Sequence, residues 1–196
     1  MHYAVRRTLA FSSASLVVSI LLVSITYGVR SFWTYFTNWG LFLQYTAYVS
    51  VLQNPKSRQI LVDVGILAAW TVAVSYSVVV IISPSTLRNL YEAYGEAPFW
   101  LGNIALHYAP PILISISIVP VSGSMKKRAL AALAVVLLIV AYNLSHDART
   151  VYDTDALGRL EGTLCMVSVA LILVFVVFNF HRYIKALVPP EERRKQ

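Results

Sequence analysis

The sequence predicts an all-α integral membrane protein: a six-transmembrane-helix bundle with both termini cytoplasmic. Three observations predict it, namely composition, six long apolar stretches and a one-sided distribution of Lys and Arg. Of 196 residues, 58% are apolar and 13% are charged, about half the charged share of a soluble domain. That leaves too little polar surface to cover a water-soluble globule, and so much apolar content excludes disorder. The lone Cys165 excludes an internal disulfide framework or a multi-cysteine metal site.

A helix crossing a hydrocarbon core of about 30 Å needs roughly 20 mostly apolar residues. Six stretches have that character: 8–29, 33–53, 60–83, 99–121, 129–144 and 160–183. The first follows Arg6-Arg7. Its apolar run is too long for a secretory signal and no small-x-small cleavage site follows, so it reads as a retained anchor. Within it Ser15 and Ser19 form a small-xxx-small seam that permits close helix contact. Breakers separate the later spans: Asn54-Pro55, Ser83-Pro84, Ser122-Gly123-Ser124 and Asp153-Thr154-Asp155. The fifth span is the shortest. None shows the short apolar/polar alternation of a membrane barrel. Residues 1–188 therefore form one transmembrane domain, followed by a basic cytoplasmic tail at 189–196, and no internal repeat is visible.

Cytoplasmic loops carry excess Lys and Arg. With the N-terminus inside, the inner segments hold 12 of the 16 basic residues: Arg6, Arg7, Lys56, Arg58, Lys126, Lys127, Arg128, Arg182, Lys185, Arg193, Arg194 and Lys195. The outer segments hold the other 4, Arg30, Arg88, Arg149 and Arg159. The net charge of +7 is thus mostly a topology signal and no nucleic-acid footprint, though a basic tail also attracts anionic lipid. Trp33, Tyr35, Trp39, Phe99 and Trp100 gather at the outer ends of the second and fourth spans, where amphipathic rings sit at the bilayer interface.

Polar groups inside spans are costly and usually face the bundle interior. They are Thr37, Asn38 and Gln44 in the second span, Asp63 in the third, Asn103 and His107 in the fourth, Asn143 in the fifth and Asn179 in the sixth. His107 is the only histidine well inside a span, about 12 Å below its outer end, and Asn103 shares its helix face. Pro110 and Pro111 follow and lack N–H donors, so the helix should kink beside the histidine. Either His107 lines a wet pocket, or it is satisfied by a helix–helix hydrogen bond and the prolines only bend the span. Thr37 and Asn38 lie within one to two helical turns of the same depth. A threonine hydroxyl becomes a nucleophile when a base takes its proton, and histidine is the usual base; a threonine in a span also commonly bonds its own backbone. Asp63 reads as a cap-like carboxylate in the first turn of its helix. Residues 145–149 read as a solvated loop, or as a segment that orients a histidine from above. Asn143-Leu144-Ser145 matches the glycosylation pattern but sits at the membrane edge, and Cys165 reads as a small buried apolar residue. A retinal Schiff base lacks its in-span lysine, no H-E-x-x-H zinc site exists, and no glycine-rich phosphate loop appears.

The segment Tyr35-Phe36-Thr37-Asn38-Trp39-Gly40-Leu41-Phe42-Leu43-Gln44 resembles the aromatic-x-Thr…Leu-x-Gln signature of the androgen-induced transmembrane protein family. Leu106-His107-Tyr108-Ala109-Pro110-Pro111-Ile112-Leu113 resembles that family's histidine-bearing fourth span, and His146…Val151-Tyr152 is weakly similar. The six-span plan agrees over nearly the whole chain. Where the family has Gly-x-Trp-x-Tyr-Pro, this chain has Arg149-Thr150-Val151-Tyr152-Asp153. Thr-Asn-Trp-Gly also resembles the rolling stone family, which implies no enzymatic chemistry. The first resemblance implies an intramembrane threonine hydrolase of fatty acid esters of hydroxy fatty acids, with Thr37 as nucleophile and His107 as base. Asn38 or Asn103 would then donate to the oxyanion. Expected partners are membrane lipids and the lipid ester substrate, with no cofactor and no metal. The expected location is the endoplasmic reticulum or plasma membrane, the former hinted at by the basic terminus. The alternative is a non-enzymatic multi-pass membrane protein, an interaction or scaffold component or a small carrier.

Overall fold

The computed structural model describes residues 34–53, 59–82, 95–117, 124–146 and 159–187, with Ala10, Ala14, Val17, Val18, Leu21, Arg88, Tyr91 and Glu92. Apart from those few positions, the first expected span lies outside the described residues. So do its serine seam, the basic tail, the loops at 54–58, 83–87, 118–123 and 147–158, and the segment matched at Val151-Tyr152. The ordered elements are α1 (Phe36–Gln53), α2 (Gln59–Ile82), α3 (Glu96–Asn103), a π turn (Ile104–Tyr108), α4 (Ala109–Ser117), α5 (Met125–Ser145) and α6 (Arg159–Leu187). All regular structure among the described residues is helical.

Among the described residues three stretches are long and apolar enough to cross a membrane: Ile60–Ile82, Met125–Ser145 and Leu160–Phe180. α2 alone, with 24 residues, measures about 36 Å. α5 shows how the sequence makes such a helix. Ala131, Val135, Ile139 and Tyr142 form one buried stripe, while Leu130, Leu133, Leu137 and Leu144 are exposed on another side. α6 repeats the pattern, with Leu164, Leu171, Ile172, Phe175, Val176 and Phe180 all exposed. A helix that is apolar all round needs apolar surroundings on its outer side too, and so large an unbroken apolar face is foreign to a water-soluble monomer. This is a helical membrane protein.

α2 is the central element and packs against α1, the π turn, α4, α5 and α6. Contacts fix the registers. Gly40 of α1 meets Val72 and Ala47 meets Gly65, so α1 and α2 are antiparallel. Trp70 Nε1 donates to Ser115 Oγ at 2.9 Å and the Ser77 and Tyr108 hydroxyls lie 3.1 Å apart, so α2 also runs against the π turn and α4. Tyr142 O–H donates to the Thr34 carbonyl at 2.7 Å, which brings the end of α5 to the start of α1. At the opposite end the Arg128 guanidinium lies over the Phe178 ring, 5.0 Å from its centroid. Residues 34–39, 76–77, 107–108 and 142–146 therefore share one end of the bundle.

Several expectations are adjusted. The fourth span is three segments rather than one kinked helix, because a π turn precedes the proline pair. Asp63 is fully buried and sits one turn inside α2, since the helix already begins at Gln59; the cap-like role does not apply. Asn143 is buried, and its amide donates to the Ile139 carbonyl at 2.9 Å and touches Met166 Sδ at 3.7 Å; packing removes it from the reach of a modifying enzyme. Asn179 is exposed rather than inward-facing, consistent with its place near the basic end of α6, where headgroups and water supply partners. Cys165 is half-buried.

Close helix approach depends on residues without bulk. A β-carbon on Gly65 would lie 2.7 Å from the Ala47 β-carbon, and one on Gly40 would lie 2.7 Å from Val72 Cγ2. Neither neighbour has a flexible end that can swing away. Gly65→Ala should therefore cost about 1–3 kcal/mol through overpacking, read as a lower unfolding temperature in detergent. Gly102→Ala, where nothing lies within 4 Å, should leave that temperature unchanged or raise it.

Candidate functional site

The site grows from the proline pair. In a continuous α-helix the carbonyls of Leu106 and His107 would bond the nitrogens of residues 110 and 111, and prolines have no N–H to give. The chain instead widens into a π turn in which the Ala109 N–H reaches back to the Ile104 carbonyl, and α4 restarts at Ala109. Pro110 and Pro111 then occupy the first turn of a new helix, where a missing donor costs nothing. The Pro110 carbonyl also accepts a 2.8 Å hydrogen bond from Gln44 Nε2 of α1. The π turn also rotates His107 toward α1 and α2.

Thr37 Oγ1 lies 3.1 Å from His107 Nε2. With the imidazole proton on Nδ1, Nε2 accepts the threonine hydroxyl, the arrangement a general base requires. No hydrogen-bond partner meets His107 Nδ1, although the Asn103 backbone carbonyl lies near the ring. Tyr76 of α2 stacks on the imidazole, with centroids 3.7 Å apart and planes 13° from parallel. The side chain of Asn103, buried, lies beside the Tyr76 hydroxyl. Tyr108 meets Tyr76 edge-on at 6.3 Å.

Thr37 is held from its own side as well. It sits in the first turn of α1, where backbone N–H groups have no intrahelical acceptors and the dipole is positive. That end of α1 is pinned by an aromatic cluster in which Phe36 and Trp39 contact Tyr142, with centroids 5.0 and 5.7 Å away. His146 stacks on Tyr142 at 4.9 Å and meets Trp39 edge-on. It belongs to this support and does not orient His107; Asp147 and Arg149 lie outside the described residues.

Thr37, Gly40, Leu41 and Gln44 follow helical spacing and make one stripe on α1. All four line a cavity of about 10 Å³ closed by Val72, Leu106 and the two prolines. Of the four expected site residues, Thr37 and His107 meet directly, and Asn103, one turn before His107, lies beside Tyr76. Asn38 is buried too, but it lies about 100° round the helix from Thr37 and off that stripe. Tyr76 is the residue that sequence reasoning missed. Its signal is the polar run Ser75-Tyr76-Ser77 inside an otherwise Val/Ala/Ile span, at the depth of the outer ends. Among the described residues no three His, Cys, Asp or Glu side chains group as metal ligands would.

No family model, curated protein or solved structure matches this chain.

Two measurements probe the geometry of the site. Tyr142→Phe should cost about 0.5–1.5 kcal/mol by losing its hydrogen bond to the Thr34 carbonyl, seen as a lower unfolding temperature. Tyr76→Phe, which keeps the ring stacked on His107, should leave the unfolding temperature nearly unchanged, whereas Tyr76→Ala should lower it by removing that packed ring.

Proposed function

We propose that this protein is an intramembrane hydrolase of lipid esters, of the fatty acid ester of hydroxy fatty acid type. Thr37 is its nucleophile and His107 its general base. The observation that carries the reading is the 3.1 Å approach of Thr37 Oγ1 to His107 Nε2, made by residues 70 positions apart in two different spans. Six spans with both termini cytoplasmic, as the basic residues suggest, put this pair in the exoplasmic leaflet. The location is the endoplasmic reticulum or plasma membrane.

The ester reaches the site laterally, with its acyl chains in the bilayer. Thr37 Oγ1 attacks the carbonyl carbon as His107 Nε2 takes its proton. The tetrahedral intermediate collapses, and the proton passes from His107 to the leaving alkoxide, releasing the hydroxy fatty acid and leaving an acyl-threonine. Water then attacks under the same base and the fatty acid departs. Asn103 is the better placed of the two candidate oxyanion donors, since it gathers with Tyr76 and His107 while Asn38 lies off the stripe.

A second reading is favoured by the small size of the cavity. Here the chain is a non-enzymatic membrane protein, a scaffold component or small carrier, and the Thr37–His107 bond only clamps two helices.

Purified protein separates the two. The hydrolase reading expects fluorophosphonate labelling and ester hydrolysis by wild type and by Thr37→Ser. Both should fall at least about 10²–10⁴-fold in Thr37→Ala and His107→Ala, with folding preserved. Equal labelling of wild type and Thr37→Ala removes the hydrolase reading and leaves the clamp.

A further inference from the structure

The Thr37–His107 pair accounts for acylation but leaves open where the second substrate, water, is held. A lipid-embedded site cannot draw water from bulk at random, so the hydrolytic step needs a place prepared for it. Gln44 is fully buried two helical turns below Thr37 on the same stripe. Its amide nitrogen is engaged with the Pro110 carbonyl, which fixes the orientation of the amide group. Its amide oxygen is buried with no hydrogen-bond partner. Buried acceptors are rarely left that way, and an ordered water is a common donor. Gln44 and Thr37 both line the cavity of about 10 Å³, on the order of the space one water needs. The rest of the lining is largely apolar, Gly40, Val72 and Leu106 among it, so Gln44 is the polar side chain there besides the nucleophile.

We infer that Gln44 is a water-positioning residue: its amide oxygen holds, beside Thr37, the water that hydrolyses the acyl-threonine. The inference rests on the hydrolase reading above. In this step the water oxygen bonds to the acyl carbonyl carbon while His107 Nε2 takes one of its protons. The bond from the carbonyl carbon to Thr37 Oγ1 then breaks, and the proton on Nε2 returns to Oγ1. The products are the free fatty acid and the regenerated hydroxyl. Gln44 takes no proton; it orients the water and excludes other poses.

The test uses the full chain in detergent micelles with a long-chain p-nitrophenyl ester, recording the pre-steady-state burst, steady turnover and the intact mass of the protein. Gln44→Met removes the amide oxygen. It should give a burst close to one per protein, an acyl mass increase lost on Thr37→Ala, and turnover slowed about 100-fold. Gln44→Glu keeps an acceptor oxygen and should turn over within tenfold of wild type. Ala69→Val adds bulk to a residue that lines the cavity from α2 and leaves the Gln44 amide itself in place, and should also accumulate acyl protein. It serves as the arm that stands if Gln44→Met unfolds. Wild-type turnover in both Gln44→Met and Ala69→Val overturns the inference, as does an equal loss of burst and turnover in folded Gln44→Met, which marks a structural role. Absence of acyl protein in every form, wild type included under quench, overturns the hydrolase reading itself.

Discussion

Pro110 and Pro111 remove two consecutive backbone donors from the middle of the helical stretch that runs from α3 through the π turn to α4, in a protein whose apolar surroundings offer no substitute for them. A helix in lipid has to satisfy its carbonyls internally or through neighbouring helices. Here the chain widens into a π turn before the prolines, with the Ala109 N–H on the Ile104 carbonyl, and Gln44 of the neighbouring α1 donates to the Pro110 carbonyl. Each adjustment has a consequence beyond its own hydrogen bond. The π turn re-aims His107, and the Gln44 bond ties the restarted helix to the element that carries Thr37. A backbone defect has become the device that sets an imidazole against a hydroxyl, in keeping with the frequent occurrence of π-bulges at functional positions.

That alignment needs α1 and α2 to be close, and hydrophobic burial cannot supply the attraction, because lipid tails are as apolar as the side chains. Dispersion and shape do so instead. Gly40, Ala47, Gly65, Ala68 and Ala69 let the two backbones approach. The polar contacts Trp70–Ser115 and Ser77–Tyr108 then set α2 against the π turn and α4. The aromatic cluster of Phe36, Trp39, Tyr142 and His146 secures the far side of α1. The outer surfaces of α5 and α6 carry no such specificity, since leucine and phenylalanine facing lipid require only bulk and low polarity.

How much of this is legible in the sequence depends on how uniquely a residue type signals its environment. Thr37, Asn103 and His107 stand out because polar groups in apolar spans are expensive, and the structure sets Thr37 against His107 with Asn103 one turn away beside Tyr76. The positions of the described helices follow from length and hydropathy, with ends off by a few residues where propensity rather than packing was the guide. Tyr76 is hidden by its ambiguity: the chain has 12 tyrosines, and near a bilayer edge most of them read as anchors. The π turn is hidden for another reason. A proline pair announces missing donors, but whether the chain kinks, tightens or widens is decided by the helices around it. Asp63 and Asn179 show the same limit in opposite directions. One is more buried than its position near a helix start implies, and the other is more exposed than its polarity in a span implies, because rotation of a helix about its axis is set by its neighbours.

The ring of Tyr76 lies flat on one side of the imidazole at 3.7 Å, closer than a third body could slip between. That side of the histidine is shuttered. Whatever reaches the two nitrogens must come from the ring's edge or its opposite face, away from a tyrosine that belongs to neither member of the hydrogen-bonded pair. The bundle thereby makes the two faces of the imidazole unequal, whatever the fluidity of the surrounding lipid.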